Sequence, residues 1–167
     1  MALGDISSLG NLRFNASLCG HVLAIQCGSG PVVNMIIANS NLGGGLDLYT
    51  STWKKATNNA SPGVQSCSVQ MTSQNLFASS GYQCYYANGE TNNAYYRSVG
   101  LLNIKDKIVI SATYNKINGV LQSSQPYFQF NGQGTGSMPV TFRFSDGSTY
   151  SVSLSQCKSG ASKQIWS

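Results

Sequence analysis

Charge is what this chain has least of. Only 9% of its 167 residues are Asp, Glu, Lys or Arg; five are acidic, and His21 is the one histidine. A single histidine and the lack of any Cys-x-x-Cys pair argue against a zinc site, and no other metal or cofactor is expected. The ten basic residues are scattered, with no cluster larger than Lys54-Lys55 or Lys105 to Lys107, so a nucleic-acid partner is not expected. No apolar run is long enough to span a membrane. Met1-Ala2-Leu3-Gly4 has no basic start and no apolar core segment, so it does not read as a signal peptide; an exported protein would have lost or exchanged its leader.

What is present suits a folded β protein. Hydrophobic residues make up 41% and aromatics 10%, ample for a core, while Gly, Ser, Asn and Thr dominate the polar fraction. This composition resembles secreted or surface-exposed β proteins, and the length allows one β domain or two small ones. A net charge of +5 favours polyanionic partners such as acidic polysaccharide, or serves solubility alone. The five cysteines imply two disulfides and one free thiol in an exported protein, or five buried thiols in a reducing compartment. Cys19 and Cys27 bracket one strand, so a bond from either to another element is favoured over one between them. Asn15-Ala16-Ser17 is a glycosylation sequon, meaningful only in a eukaryotic secretory setting.

The stretch Cys19 to Trp53 organises the rest. His21 to Gln26 and Val32 to Ala38 are apolar, β-branched runs separated by Gly28-Ser29-Gly30-Pro31, a hairpin or crossover signal. Neither run alternates strictly, so both are expected to be buried on both faces. Leu46-Asp47-Leu48 sets one carboxylate between two core residues, ahead of a helix over Ser51 to Ala56 capped at Thr50/Ser51, with Trp53 inward and Lys54-Lys55 outward. Residues before Cys19 are weakly patterned, with Leu3, Ile6, Leu9, Leu12 and Phe14 as packing points. Asn58 to Gly63 breaks the helix and Val64 to Met71 returns as a strand.

A polar connector around Leu76-Phe77 marks a boundary between residues 1–72 and 73–167. Beyond it come short strands at Tyr82–Ala87, Ala94–Leu102, Asp106–Tyr114, Val120–Gln122, Pro126–Phe130, Pro139–Ser145 and Thr149–Leu154. Turns at Asn88-Gly89, Asn118-Gly119, Asn131-Gly132 and Asp146-Gly147 separate them, and the spacing argues a β-sandwich. The last hairpin permits a register argument. A two-residue Asp146-Gly147 loop would set the apolar faces Val140/Phe142/Phe144 and Tyr150/Val152/Leu154 on opposite sides. A three-residue loop, Ser145 to Gly147 with Gly147 left-handed, pairs Phe142 with Tyr150 and Val140 with Val152, and is preferred.

Taken together the two parts resemble an expansin, a double-psi β-barrel followed by an immunoglobulin-like cellulose-binding sandwich. The residues that carry the resemblance are Cys19-Gly20, the strand pair, and Leu46-Asp47-Leu48 followed by Trp53. In the second part they are Tyr95-Tyr96 opening a strand, Val99 to Asn103, Tyr127, Gly134-Thr135-Gly136 and the closing run from Pro139 to Leu154. The resemblance spans roughly residues 16 to 156. It implies an all-β fold of a shortened six-stranded barrel plus sandwich, extracellular location, and non-enzymatic binding, with wall loosening, of cellulose, related β-glucan or an acidic matrix polymer. It also implies a row of aromatics, Tyr95, Tyr96 and Tyr127, on the second domain. The chain departs from the family before Cys19, where a further segment with a Thr or Ser is expected, and at Asn39, where the family has a second barrel acid.

Each candidate has more than one reading. Asp47 is a groove carboxylate that hydrogen-bonds sugar, the remaining acid of a hydrolytic site, or an acceptor for backbone N–H groups at a strand-to-helix turn. Hydrolysis needs two carboxyls, and the nearest other acid in sequence is Asp5. Tyr95, Tyr96 and Tyr127 stack on pyranose rings or pack across strands; adjacent Tyr95 and Tyr96 both face solvent only at a strand start or bulge. His21 reads as a structural strand residue, and Gly43-Gly44-Gly45 as a loop without the Lys-Ser/Thr of a phosphate cradle. The sites expected are therefore Tyr95, Tyr96, Tyr127, Asp47 and Asn39 for polysaccharide, with no catalytic and no metal residue. The alternatives are a structural or adhesive surface or virion subunit, and a relic endoglucanase.

Overall fold

The computed structural model describes residues 1–6, 14–74, 81–87, 93–105, 107–123, 126–131 and 138–159. Leu9, Leu12, the Leu76-Phe77 connector, the Asn88-Gly89 turn, Gly132 and Gly134-Thr135-Gly136 lie outside these residues. In chain order the N-terminal part contains β1 (Ala2–Leu3), β2 (Val22–Cys27), β3 (Val33–Ile36), β4 (Asn39–Ser40), β5 (Leu46–Asp47), α1 (Thr50–Ala56) and β6 (Cys67–Thr72). β1 lies between β4, parallel to it, and β5, antiparallel; β2 lies between β3 and β6, both antiparallel. The N-terminal segment, weakly patterned in sequence, thus supplies a central strand, and Leu3 is fully buried. It joins Leu23, Ile25, Cys27, Ile37 and Ala56 in one core, with Ile6, Phe14, Leu46 and Leu48 packed at its margin.

Burial on both faces holds only in part for the organising pair, since Gln26 and Val32 are exposed while their neighbours Ile25 and Val33 are buried. The helix begins one residue earlier than its sequence suggests. Tyr49 is the N-cap, extended at φ −60° and ψ 148°, and it makes no side-chain cap bond, so Thr50 is the first helical residue rather than a cap. At the other end Thr57 Oγ1 donates to the Trp53 carbonyl at 2.7 Å, and Asn58 and Asn59 at φ 54° and 66° turn the chain away. The helix packs on bare backbone. A Cβ at Gly30 would lie 1.8 Å from the Ala56 carbonyl oxygen, so only glycine fits there.

The C-terminal part contains β7 (Gln83–Tyr86), β8 (Tyr96–Leu102), β9 (Val109–Tyr114), β10 (Ile117–Asn118), β11 (Val120–Leu121), β12 (Tyr127–Asn131), β13 (Pro139–Phe144), β14 (Thr149–Ser153) and β15 (Lys158–Ser159). They form two sheets, β10-β9-β13-β14 and β11-β12-β8-β7-β15. The core between them holds Tyr86, Val99, Leu101, Phe128 and Phe130 from one sheet, and Ala112, Tyr114, Val140, Phe142 and Val152 from the other. The last hairpin has the bulged three-residue register. Phe142 pairs with Tyr150, Val140 with Val152, and Gly147 sits at φ 84°.

The turn after β9 differs from the expected Asn118-Gly119. Asn115 and Lys116, at φ 48° and 65°, form a two-residue hairpin that pairs Tyr114 with Ile117. Two left-handed residues give the twist that matches antiparallel strands. Gly119 instead marks the step from one sheet to the other, where a Cβ would lie 2.7 Å from the Phe130 ring.

Cys27–Cys67 joins directly opposed residues of β2 and β6, and Cys84–Cys157 ties β7 to the segment after β14. Cys19 is the free, buried thiol, and burial pushes its pKa up to about 12. His21, two residues on, is buried as well, in agreement with a structural role.

Candidate functional site

Among the described residues no ladder joins β5 to β6, and a cleft of about 290 Å³ opens between them. Its lining includes Asp47, Trp53, Val64, Gln65, Cys67 and Val69. The local sequence explains how the acid reaches it. Strand alternation through Leu46-Asp47-Leu48 turns both leucines toward the core and leaves Asp47 exposed. Trp53 then comes from the second turn of α1. Its indole N–H donates to the carbonyls of Ala60 and Ser61 at 3.0 and 3.2 Å, which fixes the ring as a wall of the cleft. Val64, read from the sequence as the start of a strand, precedes β6 and stands fully exposed at the rim. Among the described residues Asp47 is the one carboxylate on the cleft lining, and no three His, Cys, Asp or Glu side chains gather as a metal site would require.

Asn39 does not line the cleft, yet it shares a sheet face with Asp47. Both are in register with Ala2, one from each side of β1.

The tyrosines occupy three different settings. Tyr95, just before β8, is 82% exposed; Asn93 Oδ1 accepts from the backbone N–H of both Tyr95 and Tyr96 at 2.9 Å and holds this strand start in place. Tyr96 opens β8 and is half-buried. Tyr127 is 6% exposed, and its ring fills the space over Gly100, where a Cβ would lie 3.0 Å from the ring. Register sets Tyr96 and Tyr127 on the same outer face of the five-stranded sheet, because Asn131 faces Tyr96 and Gly100 faces Tyr127. The same face carries Gln129, opposite Ser98, with exposed Val120 beyond it on β11. Sequence reading passed over these polar partners. Period-two alternation in Tyr127-Phe128-Gln129-Phe130-Asn131 was the signal that would have found them.

A separate cluster secures the β13–β14 turn. Lys107 Nζ is 2.9 Å from Asp146 Oδ2 and donates to Ser148 Oγ at 2.9 Å, while Ser148 donates through N and Oγ to Asp146 Oδ1. These bonds hold the Asp146 carboxyl down at a pKa of about 2. The cluster is half-exposed, and its charges are spent on one another.

No family model and no curated protein matches the sequence. Solved structures do match the fold. The crystal structure of apo Clavibacter michiganensis expansin superposes with a TM-score of 0.60 at 14% identity, over 87% of this chain and 71% of that one. An aspartate-to-asparagine mutant of Clavibacter michiganensis expansin in complex with cellohexaose superposes with a TM-score of 0.62 at 12% identity, over 95% and 75%. The fold is thus expansin-like and nearly all-β, a double-psi β-barrel followed by a β-sandwich.

Proposed function

We propose that this protein binds cell-wall β-glucan without hydrolysing it, as an exported chain with a barrel domain over residues 1–72 and a sandwich domain over 73–167. The observation that carries the reading is the open cleft with Asp47 and a fixed Trp53 on its walls, on a fold whose solved neighbour was crystallised with cellohexaose. An aromatic wall suits the C–H faces of pyranose rings, and a carboxylate accepts from sugar hydroxyls. Hydrolysis requires a second carboxyl to share the roles of acid and base, and Asp47 is the sole carboxylate among the described lining residues. Tyr95 and Tyr96 supply a second, flatter contact on the sandwich, with Tyr127 supporting the sheet beneath and Asn39 flanking Asp47. Two disulfides support an oxidising, extracellular setting. A net charge of +5 favours glucan embedded in acidic matrix polymer.

The test is co-sedimentation with insoluble cellulose, chitin and peptidoglycan, run beside a reducing-end assay. Wild type is expected to sediment with cellulose and release no reducing ends. Asp47→Ala with Trp53→Ala, or Tyr95→Ala with Tyr96→Ala, should weaken sedimentation while the chain stays folded. Sedimentation with none of the three polymers would overturn the reading in favour of a structural or adhesive subunit. Release of reducing ends would make the protein a glucanase.

A further inference from the structure

The outer face of the five-stranded sheet carries more than tyrosines. Gln122 Nε2 donates to Gln129 Oε1 at 2.9 Å, and Gln129 Nε2 donates to Asn131 Oδ1 at 2.9 Å, so three carboxamides align head to tail. Gln129 and Asn131 are two residues apart on β12, about 7 Å along the strand, and Gln122 reaches them from just beyond β11. The line of amides has an apolar side chain on each flank. Tyr96 stands across from Asn131, and Val120, 64% exposed, stands across from Gln129.

The energetics say what such a line is for. Ordering a glutamine side chain costs rotamer entropy at least comparable to what a neutral hydrogen bond at a partly exposed site returns net. Two bonds that order two glutamines therefore add little to the stability of the sheet. What they do fix is orientation. Gln129 uses one lone pair and one N–H on its neighbours, which leaves one acceptor site and one donor site aimed from a set position. Apolar flanks with hydrogen-bonding amide groups between them match a pyranose, whose C–H groups lie on its faces and whose equatorial hydroxyls lie on its edge.

We infer that the Gln122–Gln129–Asn131 ladder is the specificity-determining strip of the sandwich face, selecting β-1,4-linked sugars whose ring hydroxyls are all equatorial. The inference rests on the glucan-binding reading above and adds the residues that choose among glycans. Tyrosines alone stack on any pyranose with a free C–H face. The ladder distinguishes a hydroxyl that lies in the ring plane from one that stands perpendicular to it.

Calorimetric titration with cellohexaose and with β-1,4-mannohexaose, which differs in the axial hydroxyl at C2, tests this. Wild type is expected to prefer cellohexaose by about tenfold or more, equivalent to about 1.4 kcal/mol. Gln129→Leu should bring the two affinities to within roughly twofold, with the melting temperature nearly unchanged because the ladder adds little stability. Should the leucine variant fail to fold, Gln129→Met keeps the length and apolar bulk and gives the same readout. A wild-type preference that survives in the variant overturns this inference and leaves glucan binding intact. Equal wild-type affinities for the two hexasaccharides overturn it as well, and binding of neither sugar removes the glucan-binding reading together with it.

Discussion

Asn39 and Asp47 stand on one face of the β4-β1-β5 sheet with Ala2 between them, two strand spacings or roughly 9 to 10 Å apart. A carboxylate and an amide so placed can both hydrogen-bond a ligand lying across β1. They cannot divide the roles of proton donor and general base, because the amide does not titrate in the working range. Asp47→Ala should lower affinity for cellohexaose on the order of tenfold, the loss of one hydrogen bond to a charged group. Reducing-end release should stay at background in wild type and variant alike; turnover that Asp47→Ala abolishes would contradict this.

Gly100 should not tolerate a side chain. An added Cβ would lie 2.4 Å from the Pro126 carbonyl oxygen and 3.0 Å from the Tyr127 ring. Gly100→Ala is expected to destabilise by about 1–3 kcal/mol, the range for overpacking, as measured by denaturant unfolding. A neutral result would mean that Tyr127 moves off the glycine without cost.

Arg97 is a buried cation in the sandwich core, 5% exposed, with its guanidinium 4.9 Å from the centre of the Tyr114 ring. Its Nε and Nη1 have no hydrogen-bond partner among the described residues. A cation–π contact offsets only part of the desolvation of such a group. Arg97→Met, of similar shape and without charge, should therefore match or exceed wild-type stability; a loss above about 2 kcal/mol would show that the charge stabilises the core.

The Lys107–Asp146–Ser148 cluster gives stability a pH signature. The Asp146 pKa in the fold, about 2, lies below the usual value near 3.8. Its contribution is therefore present above the ordinary carboxylate range and is lost as pH falls from about 4 to 2. Melting temperatures of wild type and Asp146→Asn should differ at pH 6 and converge near pH 2. Parallel curves across that range would show that the bonds to Ser148 and Lys107 do not favour the charged form.

The thiol inventory is directly countable. With a pKa pushed up to about 12 by burial, Cys19 should not react with a disulfide reagent at pH 8 in the native protein. One thiol per chain should appear on unfolding without reductant. Reduction of the Cys84–Cys157 bond, which spans 73 residues, should cost about 4 kcal/mol by the loop-entropy relation, seen as a lower denaturant midpoint.

The sequence by itself determined the β character, the register of the closing hairpin and the placing of Asp47 between two core leucines. Each follows from period-two alternation, or from the conformation Gly147 allows, and both are local. Only tertiary structure decided that residues 2 and 3 form a central strand, because Ala2-Leu3 is too short to show a period and is specified by Asn39-Ser40 and Leu46-Asp47 on either side. It also decided that Tyr127 lies buried over Gly100 while Tyr95 stands exposed, since both are tyrosines at a strand start with polar neighbours. Their exposure depends on a glycine on the neighbouring strand and on where that strand begins. The Asn39–Asp47 relation and the carboxamide ladder belong with these, as they join residues that meet only through strand pairing.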